Sequence, residues 1–232
     1  MLEKIYTIPV NEAFDACRDS EVPECPFCRL YKKLENDELD IILGAAMMEP
    51  DVRIKTNEQG FCGKHYRNML ERKNRLGMAL MLESHLDVVR KVTEPQLLSL
   101  KGVGASASKK LGELEEDCYV CRRIDHSLGK MIENAALLWQ TEPEFRDKMA
   151  AQKMVCLPHY RAFAEVSRNV MNKKEFARFY EELTKVVNTY FDELRGDVSW
   201  FCKKFDYRYE DEPWGNSKDA VERAVRFLSG EM

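Results

Sequence analysis

The fold of this chain is decided by a pattern that occurs twice. It appears first as Cys25-Pro26-Phe27-Cys28 with Cys62-Gly63-Lys64-His65, and again as Cys118-Tyr119-Val120-Cys121 with Cys156-Leu157-Pro158-His159. Thirty-three residues separate the halves of the first copy and thirty-four those of the second. A Cys-x-x-Cys turn lets two thiolates converge on one ion, and a Cys and a His three residues apart share one face of a helical turn. The sequence therefore predicts a closed Cys3His metal site within each copy, two sites in all.

The two copies match beyond these ligands, which indicates an internal duplication. With a shift of 93 residues, Glu24 aligns with Asp117, and Glu49-Pro50 aligns with Glu142-Pro143. Arginines also recur after the Cys-x-x-Cys turns and after the histidines, at Arg29, Arg122, Arg67 and Arg161. We expect these guanidinium groups to donate to the thiolate sulfurs, although ordinary exposed arginines are the alternative at each position.

Zinc is the metal that a Cys3His donor set favours, and we expect two zinc ions per chain. Soft thiolate ligands also suit an iron–sulfur cluster, which is an alternative cofactor. Thiol redox chemistry is a third interpretation, but the βαβ context of a thioredoxin-type Cys-x-x-Cys is not visible in the sequence. Because protein ligands would fill all four positions, no position remains for water or substrate. We therefore expect structural and not catalytic zinc.

The composition is that of a soluble globular protein of 232 residues, with 44% hydrophobic and 33% charged residues. A net charge of −4 gives no overall attraction to nucleic acid or to an anionic membrane. No apolar run approaches the roughly 20 residues of a membrane helix, and the first residues lack the apolar stretch of a signal peptide. Thiols that bind metal need a reducing compartment, so we expect a cytoplasmic protein with no membrane association.

Helical spacing of apolar residues dominates the chain, and no strand-like alternation is convincing. We predict an all-α fold: a helical bundle of two duplicated, zinc-stapled helical units plus C-terminal helices. We assign residues 1–92 to the first metal-binding unit, 93–112 to a linker, and 113–232 to the second unit with its C-terminal helical extension.

Several helix boundaries follow from the same spacing. In the first unit we expect a short segment over residues 5–10, a helical turn from Asn11, and one ligand helix over residues 62–92. In the second we expect helices over residues 175–194, 198–205 and 217–228. Cys17 has no counterpart in the second copy, and we interpret it as a buried or half-buried free thiol.

The connection between the copies has two interpretations. Residues 97–104, Leu-Leu-Ser-Leu-Lys-Gly-Val-Gly, resemble the hairpin of a helix-hairpin-helix DNA-binding motif, and Lys109 and Lys110 would suit a phosphate site. Ser108, however, stands where that motif usually has an apolar residue. Glycine and serine between two repeats also describe a flexible linker, which we favour.

An aromatic and charged tail covers residues 205–216. Tyr207, Arg208 and Trp214 are candidates for an interaction surface, since aromatic residues and arginine are enriched in protein interfaces. The alternative is that these rings dock the last helix onto the bundle.

Further strings of the sequence are specific to a known family. They are YTIPVNEAF at residues 6–14, ECPFC at 24–28, GFC at 60–62 with His65, NRLGMALML at 74–82, CYVC at 118–121, FDYR at 205–208, PWG at 213–215 and KDA at 218–220. Over essentially its whole length the chain resembles a bacterial family catalogued as a domain of unknown function, number 6062. The resemblance implies one intact architecture and no particular activity, substrate or partner. In that family the connection between the halves looks variable and lysine-rich, which weakens the helix-hairpin-helix interpretation.

We expect a non-enzymatic zinc protein that binds another macromolecule, with an unidentified protein as its partner. The sequence offers no nucleophile–base pair, phosphate loop or supported pair of carboxylates. One alternative is a nucleic-acid-binding protein that uses residues 101–110 and the basic residues near the Cys-x-x-Cys turns. Another is a thiol-based redox or metal sensor that releases zinc on oxidation or holds an iron–sulfur cluster.

Overall fold

The computed structural model describes residues 3–94 and 104–231. These residues form eleven α-helices and contain no β-strand, which confirms the all-α prediction. The helices are α1 (Lys4–Asp19), α2 (Pro26–Leu43), α3 (Pro50–Gln59), α4 (Gly63–Glu71), α5 (Arg75–Thr93), α6 (Ala105–Glu116), α7 (Tyr119–Thr141), α8 (Pro143–Ala150), α9 (Leu157–Val170), α10 (Lys173–Lys203) and α11 (Ala220–Ser229). No helix within the described ranges is both long enough and apolar enough to cross a membrane.

The order of helices repeats along the chain. A long helix (α2 or α7) starts at a Cys-x-x-Cys turn, a short one (α3 or α8) follows, and a third (α4 or α9) starts after Cys62 or Cys156. Both short helices begin with a proline, Pro50 and Pro143. Proline suits this first position because its fixed φ is helical and the first turn does not need its missing N–H. The repeated order therefore has a local cause in each copy.

The chain divides into two compact units: unit 1 contains residues 1–32 and 128–232, and unit 2 contains residues 33–127. This division differs from the expected units of 1–92 and 113–232. The boundaries fall inside α2 and α7. With 18 residues, α2 is about 27 Å long, so one helix can contribute its start to one unit and its end to another.

Unit 1 has an aromatic core. The ring of Phe27 lies 5.5 Å from that of Phe14 and 5.0 Å from that of Phe163, both in edge-to-face geometry, and all three side chains are fully buried. Phe163 in turn lies 4.8 Å from Phe179 on α10. Each such ring contributes roughly 1.5–3 kcal/mol by its burial. Because Phe27 stands between Cys25 and Cys28, this core fixes the first Cys-x-x-Cys turn.

The C-terminal part of unit 1 differs from the expectation in two places. Residues 173–203 form one helix, α10, and not two, because a single interior glycine (Gly196) costs only about 1 kcal/mol and does not end a well-packed helix. The last helix starts at Ala220 and not at residue 217, after a 3₁₀ turn over Gly215–Ser217. The Lys204 ammonium group holds the segment between α10 and α11 against the end of α10 by donating to the carbonyls of Tyr209, Glu210 and Glu212.

Two helix boundaries predicted for the first 92 residues also differ from the structure. Helix α1 already begins at Lys4, so residues 5–10 are helical. The ligand helix expected over residues 62–92 is interrupted between α4 and α5, where Lys73 has a left-handed φ of 60°. That conformation ends an α-helix, and the Asn74 side chain then caps α5 by accepting the N–H of Gly77.

The predicted linker over residues 93–112 is helical from Ala105 onward, where α6 begins. The remainder of that prediction and most of the helix-hairpin-helix resemblance fall on residues 95–103, which lie outside the described residues. Both interpretations of that stretch stay predictions.

Candidate metal centres

Among the described residues, the eight predicted ligands gather into two clusters. Site A, in unit 1, consists of Cys25, Cys28, Cys156 and His159, and site B, in unit 2, consists of Cys62, His65, Cys118 and Cys121. In each site one side-chain donor atom from every residue lies within 4.8 Å of the other three. These are two Cys3His groups that can each hold a metal ion.

Each copy of the pattern contains two half-sites, a Cys-x-x-Cys turn and a Cys-x-x-His, and the way in which these half-sites pair corrects the sequence prediction. Each Cys-x-x-Cys turn was expected to join the Cys-x-x-His of its own copy, but it joins that of the other copy. The division of the chain gives the reason, because the unit boundaries fall inside α2 and α7. Each compact unit therefore contains the Cys-x-x-Cys turn of one copy and the Cys-x-x-His of the other.

The distances fit a tetrahedral ion. With the usual bond lengths, zinc places two sulfurs about 3.8 Å apart and a sulfur and a nitrogen about 3.6 Å apart. In site A, Cys28 Sγ lies 3.5 Å from Cys156 Sγ and 3.4 Å from His159 Nδ1. In site B, Cys62 Sγ lies 3.9 Å from Cys121 Sγ, and His65 Nδ1 lies 3.3 Å from Cys118 Sγ. Both sites therefore present Nδ1 and three sulfurs to one central position.

Helix N-termini surround both sites. Site A lies at the starts of α2 and α9, and site B lies at the starts of α4 and α7. Cys156 and Cys62 are the residues that immediately precede α9 and α4. The positive end of a helix dipole stabilises a thiolate, and each site has two such ends.

Site A is buried within unit 1. The side chains of Cys25, Cys28, Cys156 and His159 are all at most 4% exposed. The His159 ring lies 5.7 Å from Phe27, and the backbone N–H of Glu231 donates to Cys28 Sγ. His159 Nε2 has no hydrogen-bond partner among the described residues.

Site B is more open. Cys118 and His65 are buried, but Cys62 and Cys121 are half-buried. All three thiols of this site line a pocket of about 790 Å³. Its histidine also has a partner that the histidine of site A lacks among the described residues: His65 Nε2 lies 3.1 Å from Glu35 Oε1. The Lys64 ammonium group in turn lies 2.9 Å from the same carboxylate oxygen.

The protonation of these groups supports cation binding. Burial lowers the pKa of the His65 imidazole although Glu35 opposes the shift, so the ring is held neutral, as a metal ligand must be. Burial also raises the pKa of the Cys25 and Cys118 thiols. A bound cation would lower the pKa of these thiols again, because a thiol loses its proton when it coordinates a metal.

Of the four arginines expected beside the sulfurs, three pair with carboxylates and the fourth, Arg67, is exposed. Arg29 pairs with Glu24 at 3.0 Å, and Arg122 pairs with Asp117 at 2.6 Å. Arg161 pairs with Glu165, and Arg67 is exposed near the start of its helix. The first two pairs join residues that align with each other between the two copies of the sequence pattern. The hydrogen bonds described for Arg29, Arg122 and Arg161 thus go to carboxylates and not to thiolates.

Glu35 is the site residue that sequence reasoning missed. It precedes His65 by 30 residues, and no metal-binding motif lies next to it in the sequence. An acidic residue on a helix usually indicates a solvent-exposed face. One signal was present, because Glu35 lies ten residues after Cys25 on a helix predicted to start at the ligand turn. The sequence did not show how the half-sites pair, so it could not predict that Glu35 on α2 contacts His65.

The remaining candidates belong to neither cluster. Cys17 is fully buried, as predicted, and its burial raises its pKa to about 12, whereas Cys202 is exposed. Tyr207 is 85% exposed, Arg208 pairs with Asp206, and the Trp214 ring lies under the Lys204 ammonium group. All eight cysteines fall within the described residues, and none forms a disulfide.

Comparisons with known proteins identify a family and no close relative of known activity. No curated protein and no solved structure matches the chain. A family model does match, and it covers residues 1–232. The chain therefore belongs to the family described as "Family of unknown function (DUF6062)".

Proposed function

We propose that this is a non-enzymatic, cytoplasmic zinc protein in which two structural zinc ions, one at each site, hold the helices in place. The observation that carries the proposal is the convergence of three sulfurs and one imidazole nitrogen to within 4.8 Å at both sites. So compact a donor set suits a single ion, whereas a cluster of several irons needs ligands spread around a larger core. A filled Cys3His shell also leaves no open coordination position for catalysis.

The energy available from metal binding supports a structural role. Structural zinc contributes apparent free energies of about 10–16 kcal/mol per site in small domains. The net stability of a folded domain is typically about 5–15 kcal/mol. Zinc at site A or site B is therefore sufficient to decide whether the surrounding unit is folded.

We further propose that the protein acts by binding another protein. The pocket beside site B supports this role, because it combines an apolar floor of Val88, Val92 and Leu114 with acidic side chains. The acidic residues that line it are Glu58, Glu113, Glu116, Asp117 and Asp125. A partner segment that carries both apolar and basic side chains would complement such a surface.

The nucleic-acid alternative receives less support from the same region. Acidic residues outnumber the basic residues Lys110 and Arg122 in the pocket, and Arg122 is paired with Asp117. Lys109 lies close to Glu113 on α6. A surface for phosphate would need the opposite balance of charge.

Elemental analysis of protein purified without added metal tests the proposal. We expect two zinc ions per chain. Removal of zinc by a strong chelator should abolish much of the helical signal in far-UV circular dichroism, and its return should restore that signal. Iron with a visible absorption band, or a metal-free protein with the same helical signal, would contradict the proposal.

A further inference from the structure

We propose that site B is a peroxide-sensitive site, at which hydrogen peroxide enters through the neighbouring pocket, joins Cys62 to Cys121 as a disulfide and releases the zinc, while site A keeps its zinc. The inference rests on the proposed function, since it requires zinc at both sites. It assigns oxidation to one of two sites with the same ligands and names the sulfurs that react.

Access distinguishes the two sites. Cys62 and Cys121 are half-buried, and both sulfurs line the pocket of about 790 Å³. The three sulfurs of site A belong to residues that are at most 4% exposed. Peroxide is small enough to enter this pocket. Cys25 and Cys28 of site A line a smaller pocket of about 160 Å³, but their low exposure leaves much less of each sulfur open to peroxide than at Cys62 and Cys121.

Proximity identifies the pair of sulfurs. Cys62 Sγ and Cys121 Sγ lie 3.9 Å apart, and a disulfide needs about 2.05 Å between them. Cys62 precedes α4 and Cys121 lies in the first turn of α7, so modest shifts of two helix starts would close this gap. Cys118, the third thiol of the site, also lines the pocket but is only 4% exposed.

The chemistry balances with peroxide as the oxidant. One thiolate attacks a peroxide oxygen, so that an S–O bond forms, the O–O bond breaks and hydroxide leaves. The second thiolate then attacks the resulting sulfenic sulfur, so that the S–S bond forms and a second hydroxide leaves. The two sulfurs together lose two electrons, and peroxide is reduced to two hydroxide ions.

Zinc release follows from the loss of ligands. Once Cys62 and Cys121 are joined, Cys118 and His65 remain, and two ligands do not make a closed zinc site. Because the ligands come from the starts of α4 and α7, loss of the ion would release the connection between those two helices in unit 2. Reduction of the disulfide in the presence of zinc would restore it.

The test uses zinc-loaded full-length protein with Cys202→Ser, which removes the exposed thiol that peroxide would otherwise oxidise. A colorimetric chelator measures zinc during treatment with hydrogen peroxide, and peptide mass spectrometry locates the disulfide. We expect one of two zinc ions to be released, at a rate at least about ten-fold above that of the second, because the sulfurs of site A are much less exposed and react mainly after a local opening of the structure. The linked peptides should contain Cys62 and Cys121.

A second variant tests the route. Val88 lines the pocket, so Val88→Trp should fill part of it and slow zinc release several-fold, whereas the same substitution at the exposed Val225 in unit 1 should leave the rate unchanged. The proposal is overturned if Val88→Trp has no effect, if both ions leave together or neither leaves, or if the disulfide joins cysteines of site A. A protein that holds no zinc before treatment would overturn the proposed function itself, a result that the initial metal content separates from the others.

Discussion

Sites A and B contain the same donor set, three cysteines and one histidine, but lie in different surroundings. Site A is buried beside the aromatic core of unit 1, and its histidine has no second hydrogen-bond partner among the described residues. Site B opens onto a pocket, and its histidine contacts Glu35. The donor set therefore limits which metals suit a site, while the surroundings decide how firmly an ion would be held and what can reach it.

The largest expected effect comes from breaking the pairing of half-sites. Cys28→Ser combined with Cys156→Ser removes two ligands from site A alone, so we expect one zinc ion per chain to remain. Cys28→Ser combined with Cys62→Ser removes one ligand from each site, so we expect neither ion to be held stoichiometrically. If each copy instead formed its own site, elemental analysis would give these two results with the variants interchanged.

Single substitutions should separate the two sites by their effect on folding. Cys156→Ser removes a buried ligand beside the core of unit 1, and we expect it to abolish more helical signal than Cys62→Ser. The loss should approach complete unfolding of unit 1, because about 10 kcal/mol or more of zinc binding matches the whole stability of a typical domain.

Far-UV circular dichroism and thermal unfolding measure this difference. Cys202→Ser is the matched control, since Cys202 is exposed and belongs to neither site. Equal losses of helical signal in Cys156→Ser and Cys62→Ser would show that burial does not distinguish the sites in this respect.

A smaller effect is expected at the histidine of site B. Glu35 accepts a hydrogen bond from His65 Nε2 when Nδ1 binds the metal, which orients the ring and raises its basicity. Glu35→Gln should weaken zinc binding at site B by about 10- to 100-fold and leave site A unchanged.

Competition with a chelator of known affinity measures that change. Glu24→Gln is the control, because Glu24 lies near site A but pairs with Arg29 and not with a ligand. Wild-type affinity in Glu35→Gln would mean that the carboxylate contributes nothing to the metal site.

The residues of the two clusters and the helical class could be predicted from the sequence, because both depend on local patterns. Cys-x-x-Cys and Cys-x-x-His are short enough to be read directly, and so is the spacing of apolar residues in helices such as α7. The partners of each half-site depend instead on where long helices lead. No local pattern states that Cys28 meets Cys156 and not Cys62, nor that Glu35 meets His65.

Local backbone chemistry explains the other differences. The break between α4 and α5 depends on the left-handed conformation of Lys73 and on the cap by Asn74, whereas the apolar spacing continues across it. The single helix α10 continues through Gly196 because packing along its length outweighs one unfavourable residue. In both places an apolar period alone could not decide whether a helix continues.

The smallest effect is expected at the arginines next to the Cys-x-x-Cys turns, where the two copies are most alike. Arg29 and Arg122 pair with Glu24 and Asp117, and both arginines are at least half exposed. Exposed ion pairs contribute about 0–1 kcal/mol, so Arg29→Ala and Arg122→Ala should each change the thermal midpoint little and leave two zinc ions per chain.

Chelator competition gives a more sensitive measurement, because an arginine that donated to a thiolate would be needed for zinc affinity at its own site. Ten-fold weaker zinc binding at site A in Arg29→Ala, or at site B in Arg122→Ala, would instead support the sequence prediction that these arginines donate to the thiolates. Unchanged affinity in both would leave two differences in hydrogen bonding between the sites, the Glu35 contact with His65 at site B and the Glu231 N–H that donates to Cys28 Sγ at site A.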